Sequence, residues 1–521
     1  MPHTPAYRAA NGKKFAIAGG SPEVVDAARK IFDCGGNVVD AATAAAAAAC
    51  VAMPHMTGLG GDLFALVALR DRPVVSLNAT GAAPMAASIA RYRSMGLITV
   101  PEHGGLSAQT PATAWGLETL ARRWGAMPLA DVLQPARRLA EEGFDVGARL
   151  GALIATRQAA LARQQAWGRI FAPNGRPLAA GDRLRQPQLA QAIDLLMQEG
   201  AAGFHGGWVG RDLAQAAQED GGLMTHEDVL RVRPEVGPPL RCRFAGHDIY
   251  SQAPVSQGFV LLRALALLER IPPEGEDTRN TALALIQAFN ERLDYLKDSE
   301  DAHAAAQTLI ERAPAPRPAS QPINASCSGN TTALAVMDAD GNAVSVILSL
   351  FDVFGSGVVG QRSGIVLNNR LSGFFLDDRY ANALAPGRRS MHTLHNYVVR
   401  KDGANCWAGG SPGADVQPQA NLHVIMKLLR EQAPPEMAVS APRWVVTPGT
   451  APQDITAHRP TVLELEPGIP AAQRDALRSL GFAMRDLDGA SLGSSKLVGR
   501  TGPDTIGAWT DRRRDGDVYA V

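Results

Sequence analysis

The sequence predicts a protein of the α+β class, with helices gathered in the first two-thirds and a strand-rich region after Asn330. Three observations carry this. Apolar residues recur at helical spacing through most of the first 310 positions. A Pro-, Ala- and Ser-rich stretch, "IERAPAPRPASQPINASCSGN", then interrupts the pattern. Directly after it, "TTALAVMDADGNAVSVILSLF" alternates as two strands around Asp-Gly and Gly-Asn, which are hairpin signals.

In chain order, "SPEVVDAARKIFDCGGNVVDAATAAAAAACVAM" predicts two helices broken at Gly35-Gly36, with Ser21 as N-cap before Pro22. The Ala-rich second helix is about 15 residues long, too short to span a bilayer comfortably, and suits a buried position against close neighbours. Gly58, Gly60 and Gly61 lead into the strand-length runs "DLFALVAL" and "PVVSLNAT". Helices return in "TPATAWGLETLARRWG", "LADVLQPARRLAEEG", "QPQLAQAIDLLMQEG" and "VSQGFVLLRALALLERI". "DADGN" has the wrong glycine position and no terminal Glu for an EF-hand, so it reads as a turn.

The 521 residues suffice for two domains or one large body, with 46% apolar and 20% charged residues, as in globular proteins. Lys plus Arg and Asp plus Glu balance at 51 each, and aromatics are 5%. Neither figure suits a nucleic-acid groove or an anionic membrane surface. Five scattered cysteines without CxxC spacing support neither a disulfide framework nor a zinc site. Cys406 reads as a core residue, and His55 as a hydrogen-bonded loop histidine. The N-terminal stretch lacks a basic region followed by an apolar one, so a cytoplasmic protein without a signal peptide is expected.

A threonine hydroxyl is a weak nucleophile unless a base takes its proton, and a threonine that begins a chain can use its own α-amine. That amine has an ordinary pKa of about 7.7–8.0, so part of it is neutral near physiological pH. Cleavage between Asn330 and Thr331 would create such a residue.

The motifs around Thr331 give this idea weight. "GGNVVDAATAAAAAACVAMPHMTGLGGDLFALV", "TPATAWGLETLARRWG", "GGLMTHEDV", "SQAPVSQGFVLL", "FGSG", "GIVLNN", "GGSPGA", "SAPRW" and "DRRRDG" together resemble the γ-glutamyltransferase superfamily of N-terminal-nucleophile hydrolases. The resemblance runs along nearly the whole chain. It implies a four-layer αββα sandwich, autoprocessed into a large subunit (residues 1–330) and a small subunit (331–521) that stay together as a heterodimer, or a dimer of such heterodimers. It implies Thr331 as nucleophile, Ser349 as its supporting hydroxyl, and Gly413 and Ala414 as the oxyanion-hole pair. No metal or organic cofactor is implied, and the partner is a small-molecule amide.

The residues that hold a γ-glutamyl group in this superfamily are changed. Thr80 stands in place of an Arg that grips the substrate carboxylate, Phe351 in place of an Asn, and Gly373 in place of an Asp that meets the substrate ammonium. His392 and Thr393 replace paired serines. Losing two charge-assisted anchors removes about 1.5–3 kcal/mol each. "NNRLSGFFLDDRYANALAPGRRSMHTLHNYVV" with "GADVQPQANLH" resembles instead a branch that includes an oxamate amidohydrolase. Arg370, Arg389, His392 and Thr393 fit that branch; Leu371 and Ser390 depart from it. Arg389 with His392 could receive a small anionic amide, or Arg370 and Arg389 could be tied up by Asp377 or Asp378. Asp62, replacing a Gly of the superfamily's run, is expected to hydrogen-bond its turn. The expectation is a self-cleaving amidohydrolase for a small acyl amide, with a γ-glutamyl hydrolase or transferase and a non-catalytic binding protein as alternatives.

Overall fold

The helix Val38–Ala52 is buried along its entire length. Its run of alanines lets the backbone lie close to a β-sheet on one side and helices on the other, which larger side chains would prevent. Asn37 caps it with a reciprocal pair: its side chain accepts from Val39 N and Asp40 N while Asp40 accepts from Asn37 N. The preceding helix, Pro22–Asp33, starts as expected, with Ser21 Oγ accepting from Val24 N.

The computed structural model describes residues 7–161, 164–272, 277–312, 330–447 and 461–521. The Pro-rich stretch before Asn330, with Cys327, lies outside the described residues. Fourteen strands build two large sheets. They are β1 (Tyr7–Gly12), β2 (Phe15–Gly19), β3 (Asp62–Ala68), β4 (Val75–Ala79), β5 (Glu235–Gly237), β6 (Leu240–Phe244) and β7 (His247–Ser251). From the predicted junction onward come β8 (Asn330–Asp338), whose first residue precedes it, β9 (Ala343–Phe351), β10 (Asn396–Lys401), β11 (Ala404–Gly410), β12 (Lys496–Gly502), β13 (Thr505–Asp511) and β14 (Asp517–Ala520). One sheet runs β14-β2-β8-β9-β3-β4-β5; the other runs β1-β13-β12-β11-β10-β7-β6. All the pairings within them are antiparallel.

The sheets face each other across a thin layer of small side chains, including Ala16, Ala18, Ala335, Ala408 and Ala508. On β8 the period of two sends Ala333, Ala335 and Met337 into this layer, and Leu334 and Val336 toward the helices around Val38–Ala52. Helices Gly258–Leu268, Thr278–Tyr295 and Val416–Leu429 cover the outer face of the other sheet. The result is the four-layer αββα sandwich. The "DADGN" turn joins β8 to β9, with Asp338 accepting from both nitrogens of Asn342. Cys406 departs from its expected place: it sits half-buried at the edge of a core cluster. Among the described residues no helix is long and apolar enough to cross a membrane.

Candidate active site

Thr331 lies directly opposite Ser349 on β9, and Ser349 lies opposite Asp62 on β3. Residues paired across a sheet share a face. The three side chains therefore form one row, and it faces the space between the sheets. Thr331 Oγ1 and Ser349 Oγ are 3.2 Å apart, and Ser349 Oγ also accepts from Phe351 N at 2.8 Å. The ladder is irregular at this point. Asn330 pairs with Phe351 but Thr331 with Ser349, so Leu350 is the extra residue of a bulge between Asn330 and Thr331. Phe351 takes a φ of 81°, a left-handed conformation uncommon for an aromatic residue. The predicted junction coincides with the distorted end of an otherwise regular hairpin.

Asp62 is the hub of a buried polar cluster. Its carboxylate accepts from Thr80 Oγ1 at 2.8 Å, Arg370 Nε at 3.3 Å and His392 Nε2 at 3.1 Å. Arg370 stacks over the Phe351 ring, its Cζ 4.2 Å from the centroid, and reaches toward Thr393 Oγ1 at 3.5 Å. Leu394 N donates to His392 Nδ1, so the proton of the neutral ring is on Nε2, facing Asp62. Burial, reinforced by the Arg370 charge, pushes the His392 pKa down to about 4, although Asp62 opposes the shift. Burial also lowers Arg370 to about 10, again against the pull of Asp62. For Asp62 the burial penalty is outweighed by His392, Arg370 and Thr80, and its carboxyl stays below the usual range. At neutral pH the cluster holds one cation, one anion and a neutral imidazole.

At the end of β11 the chain turns through Ser411, Pro412, Gly413 and Ala414 into the helix Val416–Leu429. Gly413 has a φ of 124°, which favours glycine, whereas Ala414 sits at 49°, in the left-handed region that a Cβ tolerates at a cost. Their carbonyls are engaged: Val416 N donates to Gly413 O, and Gln417 N and Gln257 Nε2 donate to Ala414 O. Their N–H groups take no part in these bonds. A buried ion pair between Arg292 and Asp415, with Arg292 Nη1 also donating to Gln257 Oε1, braces the turn. Pro412 and Thr331 share the wall of one small cavity.

The sequence model described as gamma-glutamyltranspeptidase matches residues 25–521. The chain belongs to the γ-glutamyltranspeptidase family. It is 34% identical over 433 residues to the glutathione hydrolase-like YwrD proenzyme of Bacillus subtilis, covering 80% of this chain and 82% of that one. It is 31% identical over 430 residues to the oxamate amidohydrolase proenzyme of Klebsiella pneumoniae, covering 79% and 81%. A crystal structure of cephalosporin acylase from Bacillus halodurans superposes with a TM-score of 0.87 at 28% identity, covering 100% of this chain and 98% of that one. The chain is an enzyme of this family.

Within this family member, Thr80, Phe351, Arg370, His392 and Thr393 come together around Asp62, but two other expected site residues do not join them. Arg389 makes ion pairs with Asp298 and Glu235. These two acids outweigh its burial and raise its pKa. The partners anticipated for the arginines are also replaced: Asp377 pairs with Arg379, and Arg370 is held by Asp62. Gly373 ends a short 3-10 turn, where an added Cβ would meet Met391 O and Ser390 Oγ only at ordinary contact distance. His55 is buried with neither ring nitrogen hydrogen-bonded, contrary to the expected loop hydrogen bonds. Sequence reasoning missed Asp62 as a hub because its partners lie 18, 308 and 330 positions away. The available signal was an acidic residue opening a wholly apolar strand next to three glycines.

Proposed function

We propose that this protein cleaves itself before Thr331 and then hydrolyses a small acyl amide through an ester on Thr331. The observation that carries the reading is the Thr331–Ser349 hydroxyl pair at the distorted start of β8. In the first step Thr331 Oγ attacks the Asn330 carbonyl carbon. The peptide C–N bond breaks as an ester forms, and water hydrolyses the ester to a carboxylate on Asn330. Thr331 is left with a free α-amine. That amine takes the hydroxyl proton when Oγ attacks a substrate amide and hands it to the departing nitrogen. The Gly413 and Ala414 N–H groups stabilise the oxyanion, Ser349 holds the nucleophile by a hydrogen bond, and a second water releases the acid. The two fragments remain associated as a heterodimer.

The pocket argues against a γ-glutamyl zwitterion. Thr80 is spent on Asp62, Gly373 carries no carboxylate, and Arg370 is already balanced by Asp62. Among the described residues, Arg370 Nη2 is buried without a hydrogen-bond partner, and it can point at a substrate oxygen. Relatives named as oxamate amidohydrolase and cephalosporin acylase support an amide substrate outside the γ-glutamyl class. Intact-mass measurement of the purified protein and of Thr331→Ala tests the first step. Two fragments splitting at 330/331 are expected for the native chain and one full-length species for the variant; a native chain that stays whole would refute the scheme. Initial rates on oxamate beside a γ-glutamyl anilide test the second, and the γ-glutamyl compound reacting faster would overturn the pocket argument.

A further inference from the structure

A threonine inside an uncut chain lacks the amine that the mature enzyme uses. In the precursor the Thr331 nitrogen is an amide, so another group must take the hydroxyl proton when Oγ attacks Asn330. The neighbours already described do not serve. Ser349 is a hydroxyl, Asp62 is occupied by Thr80, Arg370 and His392, and both ring nitrogens of His392 are engaged.

The facing sheet brings a buried amine to the same place. Lys496 opens β12, paired with Gly410 on β11 and Thr510 on β13. Leu497 belongs to the outer core and Val498 to the layer between the sheets, so the period of two turns Lys496 into the layer that Thr331 faces. A Cβ built on Gly410 would stand 3.4 Å from that of Ala333, two residues along from Thr331. Lys496 and Thr331 line one cavity of about 10 Å³, room for about one water. Lys496 is buried and makes no ion pair among the described residues. Its Nζ donates to Ser494 Oγ at 2.7 Å and reaches Ser494 O at 3.5 Å. An ammonium has three protons to place, whereas two uncharged acceptors match the two protons of a neutral amine. Ser494 N donates to Ser411 Oγ, which ties the amine to the turn that carries Gly413 and Ala414.

The charges around Lys496 are Asp511 on β13, Arg443, and Arg514 and Asp515 in the loop before β14; Arg149 lines the same cavity. Burial, helped by Arg514 and Arg443 and opposed by Asp511 and Asp515, brings its pKa down to about 8, close to that of a working base at neutral pH. The carboxylate on the same wall, Asp515, is exposed to solvent.

Building on the self-cleavage reading above, we propose that Lys496 is the general base that starts it, taking the Thr331 hydroxyl proton through one water in this cavity. Oγ gives its proton to the water as it bonds to the Asn330 carbonyl carbon, and the water gives one of its own to Nζ. When the C–N bond breaks, the lysine ammonium returns a proton by the same path to the Thr331 nitrogen. That nitrogen leaves as the α-amine and is the base from then on, while Asn330 stays esterified to Oγ until water hydrolyses it.

The full-length native chain, Lys496→Ala, Lys496→Arg and Asp515→Asn are compared by intact mass, with melting temperatures to check folding. The native chain and Asp515→Asn should be isolated as two fragments. Both Lys496 variants should mature at least about a hundredfold more slowly and be isolated mostly whole, since arginine keeps the charge but does not give up its proton. Methylamine added to whole Lys496→Ala should restart cleavage at 330/331, at a rate that tracks the neutral form of the amine as the pH is raised. Either Lys496 variant cut at the native rate, or a folded Lys496→Ala that methylamine leaves whole, would overturn the proposal. So would cleavage lost in Asp515→Asn and kept in Lys496→Ala. If Lys496→Ala does not melt cooperatively, Lys496→Arg decides alone. A native chain that stays whole sinks the self-cleavage reading itself.

Discussion

Replacing Ser349 with Ala tests the hydroxyl pair directly. Ser349 Oγ stands 3.2 Å from Thr331 Oγ1 and accepts from Phe351 N at 2.8 Å. Loss of the first bond costs about 0.5–1.5 kcal/mol, and the orphaned buried N–H about 1–3 kcal/mol. If both enter the barrier, the sum of about 1.5–4.5 kcal/mol corresponds to a slowing of about tenfold to a thousandfold, at about 1.4 kcal/mol per factor of ten. The second cost acts through Phe351, whose left-handed backbone is held by that bond at the bulge. Conversion of precursor to fragments should be followed by denaturing electrophoresis from the moment of synthesis. Steady-state rates of whatever matures should be measured in parallel. Ser349→Thr keeps the hydroxyl and should recover both processes to within about threefold. A Ser349→Ala protein that matures and turns over at the native rate would refute the assignment.

Three further outcomes follow from the same geometry. Arg370→Gln leaves Asp62 buried without its cation and should cost about 3–5 kcal/mol, whereas Arg389→Gln, in a partly exposed pair of ion pairs, should cost about 1 kcal/mol; melting temperatures compare them. Ala414→Gly should keep activity within about threefold, because the left-handed φ of 49° suits glycine, while Ala414→Val should fail to mature, as electrophoresis will show. His55, His392, His395 and His423 are held neutral chiefly by burial, with pKa values pushed from 6.5 to about 3 or 4. Their folded values lie below the unfolded one, so the unfolded chain binds more protons as pH falls through 6.5. Stability should drop between pH 6.5 and 5 by about 2 kcal/mol for each, read as a steep fall of the melting temperature in that window.

Much of the site's frame was legible in the sequence because it is local. The hairpin turn "DADGN" and the alternation on either side of it place Thr331 and Ser349 on facing strands, 18 positions apart. Ser21, Gly35 and the alanine run mark two helices by capping and size alone. What stayed hidden depends on contacts between distant segments. Arg389 carries no local sign that Asp298 and Glu235 will hold it, since those partners arrive from separate elements. Strands such as β14, four residues long at the end of the chain, are too short for periodicity to register. The small cavity that Thr331 and Pro412 share is also lined from a helix near residue 149, the start of β12 and the loop before β14, so no window of sequence contains it.

The strand order has a consequence for how the enzyme can be made. Cutting before Thr331 leaves β1 to β7 on one piece and β8 to β14 on the other, yet neither sheet belongs to one piece. In one sheet β2 is sandwiched between β14 and β8, and β9 is zipped to β3; in the other, β13 holds β1 and β10 holds β7. Five ladders cross the break, so pulling the halves apart means dismantling both sheets. A scission there would free a chain end while the five ladders hold the two pieces together. If cutting follows folding, the product keeps both sheets without any new strand pairing having to form.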